Sequence, residues 1–110
     1  MSKTTLGLDE NIEGLLCYLF SVLTGIIFLV LEKENDFVKF HAMQSLVTFL
    51  SLTIIGMIAA FIPILGGLIT LLVNLVSLVF WILGMYKAYR GERYKFPIFG
   101  NIAEDLLKKF

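Results

Sequence analysis

Polar side chains recur at helical spacing in one apolar stretch of the chain, and His41 and Gln44 carry the most versatile chemistry among them. The set is His41, Gln44, Ser45, Thr48 and Ser51. Residues three or four apart lie on one face of a helix. An imidazole changes charge near neutral pH, so this face is a candidate cytoplasmic mouth of a polar cleft. The alternative is a helix start at the membrane surface, with polar groups bonded to the adjacent loop or to the C-terminal tail.

A second polar stripe lies later in the chain and includes Thr70, Asn74 and Ser77. A carboxamide in the middle of a membrane span needs both a donor and an acceptor. Asn74 therefore either clasps another helix or subunit, or belongs to a polar path. The residues expected in the cleft or at helix contacts are His41, Gln44, Ser45, Thr48 and Asn74.

Residues that could support catalysis are few and far apart. Cys17 is the single cysteine and His41 the single histidine. Cys17 lies about 14 residues before the end of its predicted helix, so we expect it near the opposite membrane surface from His41. The sequence contains no Gly-rich phosphate loop, HExxH or CxxC motif. We therefore predict no catalytic residue, no metal ligand and no cofactor, and we expect that the protein is not an enzyme.

The helices that carry these residues are predicted from two long uncharged stretches. The 110 residues are 58% hydrophobic and only 16% charged, which is atypical of a soluble domain. Gly14–Leu31 contains 18 uncharged residues and Ala42–Tyr86 contains 45. About 20 residues cross the hydrocarbon core, so the second stretch must hold two spans, divided where Pro63 and two glycines favour a turn. We predict an all-α integral membrane helical bundle, a single domain over 1–110, with three transmembrane helices at about 13–31, 42–62 and 68–86.

The distribution of Lys and Arg predicts the orientation of these spans. In a three-span topology, Lys3 stands alone on the side of the N-terminus and the other eight basic residues lie on the opposite side. Basic loops stay in the cytoplasm. We predict a multi-pass protein of the cytoplasmic (cell) membrane, with the N-terminus outside and the first loop and C-terminus cytoplasmic. A net charge of zero argues against nucleic acid as a partner.

Two further elements are predicted after the last span. Aromatic and basic residues at its cytoplasmic end are typical of interface anchors, namely Trp81, Tyr86, Lys87, Tyr89 and Arg90. Residues 101–110 form a short amphipathic helix in this interpretation. Its apolar face would hold Ile102, Ala103, Leu106, Leu107 and Phe110. The helix either lies on the cytoplasmic leaflet or docks on the bundle.

Three strings carry a resemblance to a known family. They are Leu-Glu-Lys-Glu-Asn at 31–35, Phe-His-Ala-Met-Gln-Ser at 40–45 and Gly-Glu-Arg-Tyr-Lys-Phe-Pro-Ile-Phe-Gly at 91–100. The chain resembles an uncharacterised family of small prokaryotic membrane proteins related to the chloroplast inner-envelope protein-import component of the Tic complex. The resemblance implies a compact helical membrane domain and a role in moving or inserting polypeptides.

Two functions fit these features. The first is a non-enzymatic scaffold or accessory subunit in the lipid bilayer that self-associates as a homo-oligomer or docks on a larger membrane-protein complex. A bundle of this size has little interior, so a complete path within one protomer is not expected. The alternative is a component of a polypeptide-translocation or channel-type assembly, in which polar helix faces from several chains line a shared path.

Overall fold

The fold was obtained as a computed structural model that describes residues 7–33 and 35–109. The described residues form α-helices and no strand. The helices are α1 (Glu10–Leu19), α2 (Val22–Leu31), α3 (Asp36–Ala59), α4 (Gly66–Tyr89) and α5 (Phe99–Lys109). The all-α prediction is therefore confirmed for the described part of the chain.

The first predicted span, 13–31, is wrong as a single helix. The helix breaks at Phe20–Ser21, where Ser21 has a φ of 55°. The result is two helices of ten residues each, α1 and α2. Ten residues rise about 15 Å, roughly half of the hydrocarbon thickness. Neither helix is long enough to cross a membrane.

The short helices α1 and α2 form a hairpin, so the end of α2 lies beside the start of α1. At its open end, the Asn35 carboxamide donates to the Glu10 carboxylate over 2.9 Å. At its closed end, the Ser45 hydroxyl donates to the Ser21 carbonyl over 3.0 Å. The N-terminal end of α1 and the first loop therefore lie at one end of the bundle, which contradicts their predicted placement on opposite sides of a membrane. Lys3, on which that prediction rested, lies outside the described residues.

Side chains replace the backbone hydrogen bonds that the break removes. The Thr24 hydroxyl accepts from the Phe20 N–H (3.2 Å) and donates to the Cys17 carbonyl (3.0 Å). The Trp81 indole donates to the Leu19 carbonyl over 3.3 Å. A break at membrane depth is tolerated only where such partners are supplied, because lipid tails offer none. Sequence patterning missed this break because it contains neither glycine nor proline.

Helices α3 and α4 are long and apolar enough to cross a membrane, and they are the two candidate spans of the described chain. Each has 24 residues and so rises about 36 Å. They correspond to the predicted spans at 42–62 and 68–86. The turn between them covers residues 60–65, so Pro63 lies in it as expected, whereas Gly66 and Gly67 already belong to α4. Half of the most apolar stretch of α3 is buried inside the protein, against 6% of that of α4. Helix α3 is therefore the central element, and α4 presents most of its side chains outward.

Two close approaches bring the short hairpin against the long one. A methyl group on Gly84 would lie 2.7 Å from the Tyr18 ring, so the aromatic ring of α1 rests on the α4 backbone. A methyl group on Gly25 would lie 3.0 Å from the Ala42 carbonyl oxygen of α3. Glycine at these positions lets α1 reach α4 and α2 reach α3, as small residues do at membrane helix contacts.

The predicted C-terminal helix is present as α5, and it packs on α3. Gly100 and Ala103 are buried in this contact. The predicted single apolar face is not confirmed, because Ile102 and Leu106 remain exposed while Ala103 is buried. Phe110 lies outside the described residues. Of the two placements left open by the sequence, the structure has the helix docked on the bundle.

This topology predicts which positions share a side of the membrane. In a Cys17→Ser background, Leu8→Cys and Lys33→Cys should both react with a membrane-impermeant maleimide from the same side of oriented vesicles. Gly67→Cys, in the first turn of α4 next to the α3–α4 turn, should react only from the opposite side. A three-span topology would instead place Leu8→Cys on the side of Gly67→Cys. The labelled side is read by mass spectrometry of intact and opened vesicles.

Candidate functional site: a polar cluster beneath a charged cap

Three fully buried side chains from α1 and α3 meet the segment that follows α4. The Tyr18 hydroxyl lies 2.6 Å from Nδ1 of His41 and 2.9 Å from Nε2 of Gln44. Nε2 of His41 lies 2.8 Å from the Glu92 carbonyl. Tyr18, His41 and Gln44 are completely shielded from solvent. We call these three side chains the polar cluster.

The Gln44 carboxamide binds the same segment at two further points. Its Nε2 donates to the Tyr94 carbonyl over 2.9 Å, and its Oε1 accepts from the Phe96 N–H over 2.8 Å. Residues 92–96 belong to no helix, so their backbone groups need partners from elsewhere. The polar cluster supplies three of those partners.

The directions of these bonds assign the protons of the polar cluster. A backbone carbonyl only accepts, so the proton on His41 sits on Nε2 and points to Glu92. The Tyr18 hydroxyl already accepts from Gln44, and it donates its own proton to Nδ1 of His41. The Gln44 amide donates its two protons to the Tyr18 hydroxyl and the Tyr94 carbonyl. The polar cluster is thus a saturated clasp in which each of these donors has an acceptor within the protein.

Charged residues cover this clasp from outside. The Arg93 guanidinium binds Asp36 at the start of α3 (3.1 Å) and Glu104 of α5 (2.9 Å). It also lies 4.1 Å above the Phe40 ring, an arrangement that favours a cation. Lys95 forms a second ion pair with Glu104. We call residues 91–109 with the start of α3 the charged cap.

The remaining sequence-predicted polar residues lie at different places. Ser45 bonds the break between α1 and α2, as described above. Thr48 is fully buried, and its hydroxyl has no hydrogen-bond partner among the described residues. Asn74 is not brought into the polar cluster; it is exposed on α4 in a groove beside α3. The structure thus groups His41 with Gln44 and separates both from Asn74.

The predicted position of Cys17 is wrong. Its thiol is buried and lies 3.7 Å from the Val38 carbonyl, in the same half of the bundle as His41. The prediction assumed one continuous first span. Since α1 runs inward from the end where α3 begins, Cys17 lies next to Tyr18 on the side of the polar cluster.

The predicted interface anchors divide into two groups. Trp81 bonds the Leu19 carbonyl at the break between α1 and α2, about two turns of α4 before the other predicted anchors. The other predicted anchors, which are Tyr86, Lys87, Tyr89 and Arg90, lie in the last turn of α4 or just after it. Arg90 donates to the Tyr86 hydroxyl over 2.9 Å and pairs with Glu92.

Sequence reasoning missed Tyr18, the ion pairs of Arg93 and two buried carboxylates in this region. Glu13 and Glu32 are 0% and 1% exposed. Both flank the first apolar stretch, where charge normally signals a solvated helix end. Tyr18 lies in an apolar run, where nothing in the local sequence marks it as a polar contact. Only the fold of α1 onto α3 places its hydroxyl beside His41.

The clasp predicts that Gln44 holds residues 92–96 closed. Gln44→Leu leaves the Phe96 N–H and the Tyr94 carbonyl buried without partners, which costs about 2 kcal/mol, or roughly a thirtyfold rise in the open fraction. Trypsin should then cleave after Arg93 and Lys95 correspondingly faster in detergent-solubilised protein. Thr53→Val is the matched control, because Thr53 is exposed and bonds only its own helix at Phe49. Equal cleavage rates in Gln44→Leu and the wild type would contradict the clasp.

The charged cap predicts a pH dependence at acidic pH. Hydrogen bonds from Lys95 and Arg93 lower the pKa of Glu104 from an ordinary 4.5 to about 2. A lowered pKa stabilises the docked cap fully above pH 4.5, and this contribution is lost as the pH falls toward 2. A fluorophore on Lys108→Cys, in a Cys17→Ser background, should report release of α5 over this interval.

Two carboxyl variants separate this effect from general acid unfolding. Glu104→Gln should remove the transition between pH 4.5 and 2, because the titrating group is gone. Asp105→Asn should retain it, since Asp105 forms no ion pair among the described residues. A transition that persists in Glu104→Gln would assign it to another group.

Comparison with known proteins places the chain in a family. Residues 9–103 match the magnetosome magnetite crystal formation protein family, MamF/MmsF. A UPF0132 membrane protein of Methanocaldococcus jannaschii is 59% identical over 105 residues, which cover 96% of this chain and 94% of that protein. A second from the same organism is 56% identical over 96% of this chain and 75% of its own length. The magnetosome protein MmsF of Paramagnetospirillum magneticum is 32% identical over 94% of each chain.

No solved structure matches the chain. The resemblance to a prokaryotic family of small membrane proteins is confirmed by these relatives, whereas the relation to the chloroplast import complex finds no support in them. The family match covers most of the chain, including both long helices and the polar cluster. The chain belongs to the MamF/MmsF family of membrane proteins.

Proposed function

We propose that this protein is a non-enzymatic scaffold or accessory subunit of a membrane assembly. The observation that carries this proposal is the saturated clasp. His41 and Gln44 are the side chains with the most versatile chemistry, and both bind residues 92–96 of the charged cap. These side chains donate their protons to acceptors within the protein. We therefore assign them a structural role, in which they hold a surface in place, rather than a role in converting a substrate.

The distribution of charge supports a scaffold with two distinct ends. No charged residue lies between Lys39 and Lys87. The charged cap is therefore confined to the end where α3 begins and α4 ends, and the opposite end is an apolar turn. Basic residues favour the cytoplasmic side, so the cap faces the cytoplasm in this proposal.

The relatives are compatible with a structural role in a membrane. Two of them are named only as membrane proteins, and one is named as a magnetosome protein. The family description refers to magnetite crystal formation. From these names we infer for this chain only a structural role in a membrane.

A polypeptide-translocation or channel component is the second candidate. The observation in its favour is the groove beside Asn74, which carries Thr53, Thr70 and Ser77 and opens sideways. A path lined by this groove would require several chains, because it is not enclosed within one.

Mass determination after mild-detergent extraction and crosslinking tests the proposal. We expect a discrete complex larger than the 12.4 kDa chain, formed with copies of itself or with another membrane protein. Gln44→Leu, which frees the charged cap, should reduce the yield of a complex formed through the cap. Val79→Ala should not, because Val79 is exposed on α4 outside both the cap and the groove beside Asn74. A folded monomer under all extraction conditions would contradict the scaffold.

A flux assay separates the two candidates. Vesicles containing the purified chain should show no greater release of a small fluorescent ion than empty vesicles. The channel alternative requires release that disappears in Asn74→Leu while the assembly survives, because Asn74 lines the groove that would form the path.

A further inference from the structure

The α1–α2 hairpin covers only half of the seam between α3 and α4. It ends at the level of Leu19, which contacts Trp81. Beyond it, a groove of about 430 Å³ lies between the outer halves of α3 and α4, and a second groove of about 480 Å³ continues it toward Leu19. Asn74 and Ser77 line both grooves. We call this continuous surface the seam.

The Asn74 side chain is the unusual group on the seam. The Asn74 side chain is exposed, and it forms no hydrogen bond with the described residues. It lies eight residues after the start of α4, or about 12 Å into the span. A carboxamide presents two donors and an acceptor, and hydrocarbon tails satisfy none of them. The seam thus needs an occupant that both donates and accepts at this depth.

We propose that the seam binds a second copy of this chain through reciprocal hydrogen bonds between the two Asn74 carboxamides. This inference rests on the proposed scaffold function and names its partner. In a two-fold interface a residue near the axis faces itself. A carboxamide complements itself, because each copy donates one N–H and accepts one in return.

The neighbours of Asn74 suit a close approach of two helices. Gly56 on α3 and Ser77 on α4 are small, and both line the seam. A methyl group on Gly56 would lie 3.9 Å from the nearest atom, Cγ1 of Val73, so no other element of the described chain fills this space. Small residues beside one strong polar group are the usual composition of membrane helix interfaces. A lipid tail would fill the volume and leave Asn74 unpaired.

Disulfide crosslinking in vesicles of the purified chain tests the geometry. In a Cys17→Ser background, Ser77→Cys should form a dimer on mild oxidation, because Ser77 lies one turn from Asn74 on the seam. Val79→Cys is the control, since Val79 is exposed on a different face of α4. Equal crosslinking at both positions would overturn the proposal.

Fluorescence energy transfer between labelled chains, over a range of protein-to-lipid ratios, tests the energetics. Asn74→Leu should weaken dimerisation about tenfold, as expected for one pair of interhelical hydrogen bonds. Asn74→Gln should retain more of the affinity than Asn74→Leu, because it keeps the carboxamide. Undiminished dimerisation of Asn74→Leu, or a wild-type chain that stays monomeric at high density, would exclude this interface.

The outcomes distinguish this inference from the scaffold proposal. If the purified chain stays monomeric in vesicles but is extracted from membranes in a larger complex, the seam dimer fails and the scaffold stands. If the chain is monomeric in both experiments, both fail.

Discussion

The structure depends on one constraint, which is that each backbone polar group removed from water must find a partner inside the protein. The break at Phe20–Ser21 frees backbone groups at the level of the α3 and α4 spans. Thr24, Ser45 and Trp81 pair with those groups. Without these partners a continuous helix would have the lower free energy for an apolar run of this length, because a helix satisfies its own backbone hydrogen bonds. The break turns the chain back and makes a half-depth hairpin.

The same constraint accounts for the polar cluster. Residues 92–96 leave α4 without forming a helix, and their backbone passes against the buried face of α3. Gln44 and His41 bind three peptide groups of this segment, and Tyr18 completes the hydrogen bonds of both side chains. Two of the three strings that carried the family resemblance, at 40–45 and 91–100, are thus the two halves of one contact. Their pattern in the sequence reflects packing between distant segments.

A half-depth hairpin gives the molecule two unlike ends. At the end with the charged cap, α1, α2 and α5 each pack on α3, α1 also packs on α4, and the polar cluster is hydrogen-bonded internally. At the other end α3 and α4 stand alone, with an apolar turn and the seam open to the side. This asymmetry is the structural basis of the proposed scaffold, in which the capped end and the seam have separate roles.

The sequence by itself determined the class of the protein, the two long helices and the position of the turn around Pro63. These features follow from local composition, since uncharged length and turn residues act without reference to the rest of the chain. Only the tertiary structure decided whether residues 13–31 form one span or two short helices. Their composition fits a span, but the break at Ser21 is stabilised by Thr24 together with Ser45 and Trp81, and the latter two are distant in sequence. The role of His41 was likewise undecided between a cleft and a structural contact, because its partners, Tyr18 and the Glu92 carbonyl, are 23 and 51 residues away.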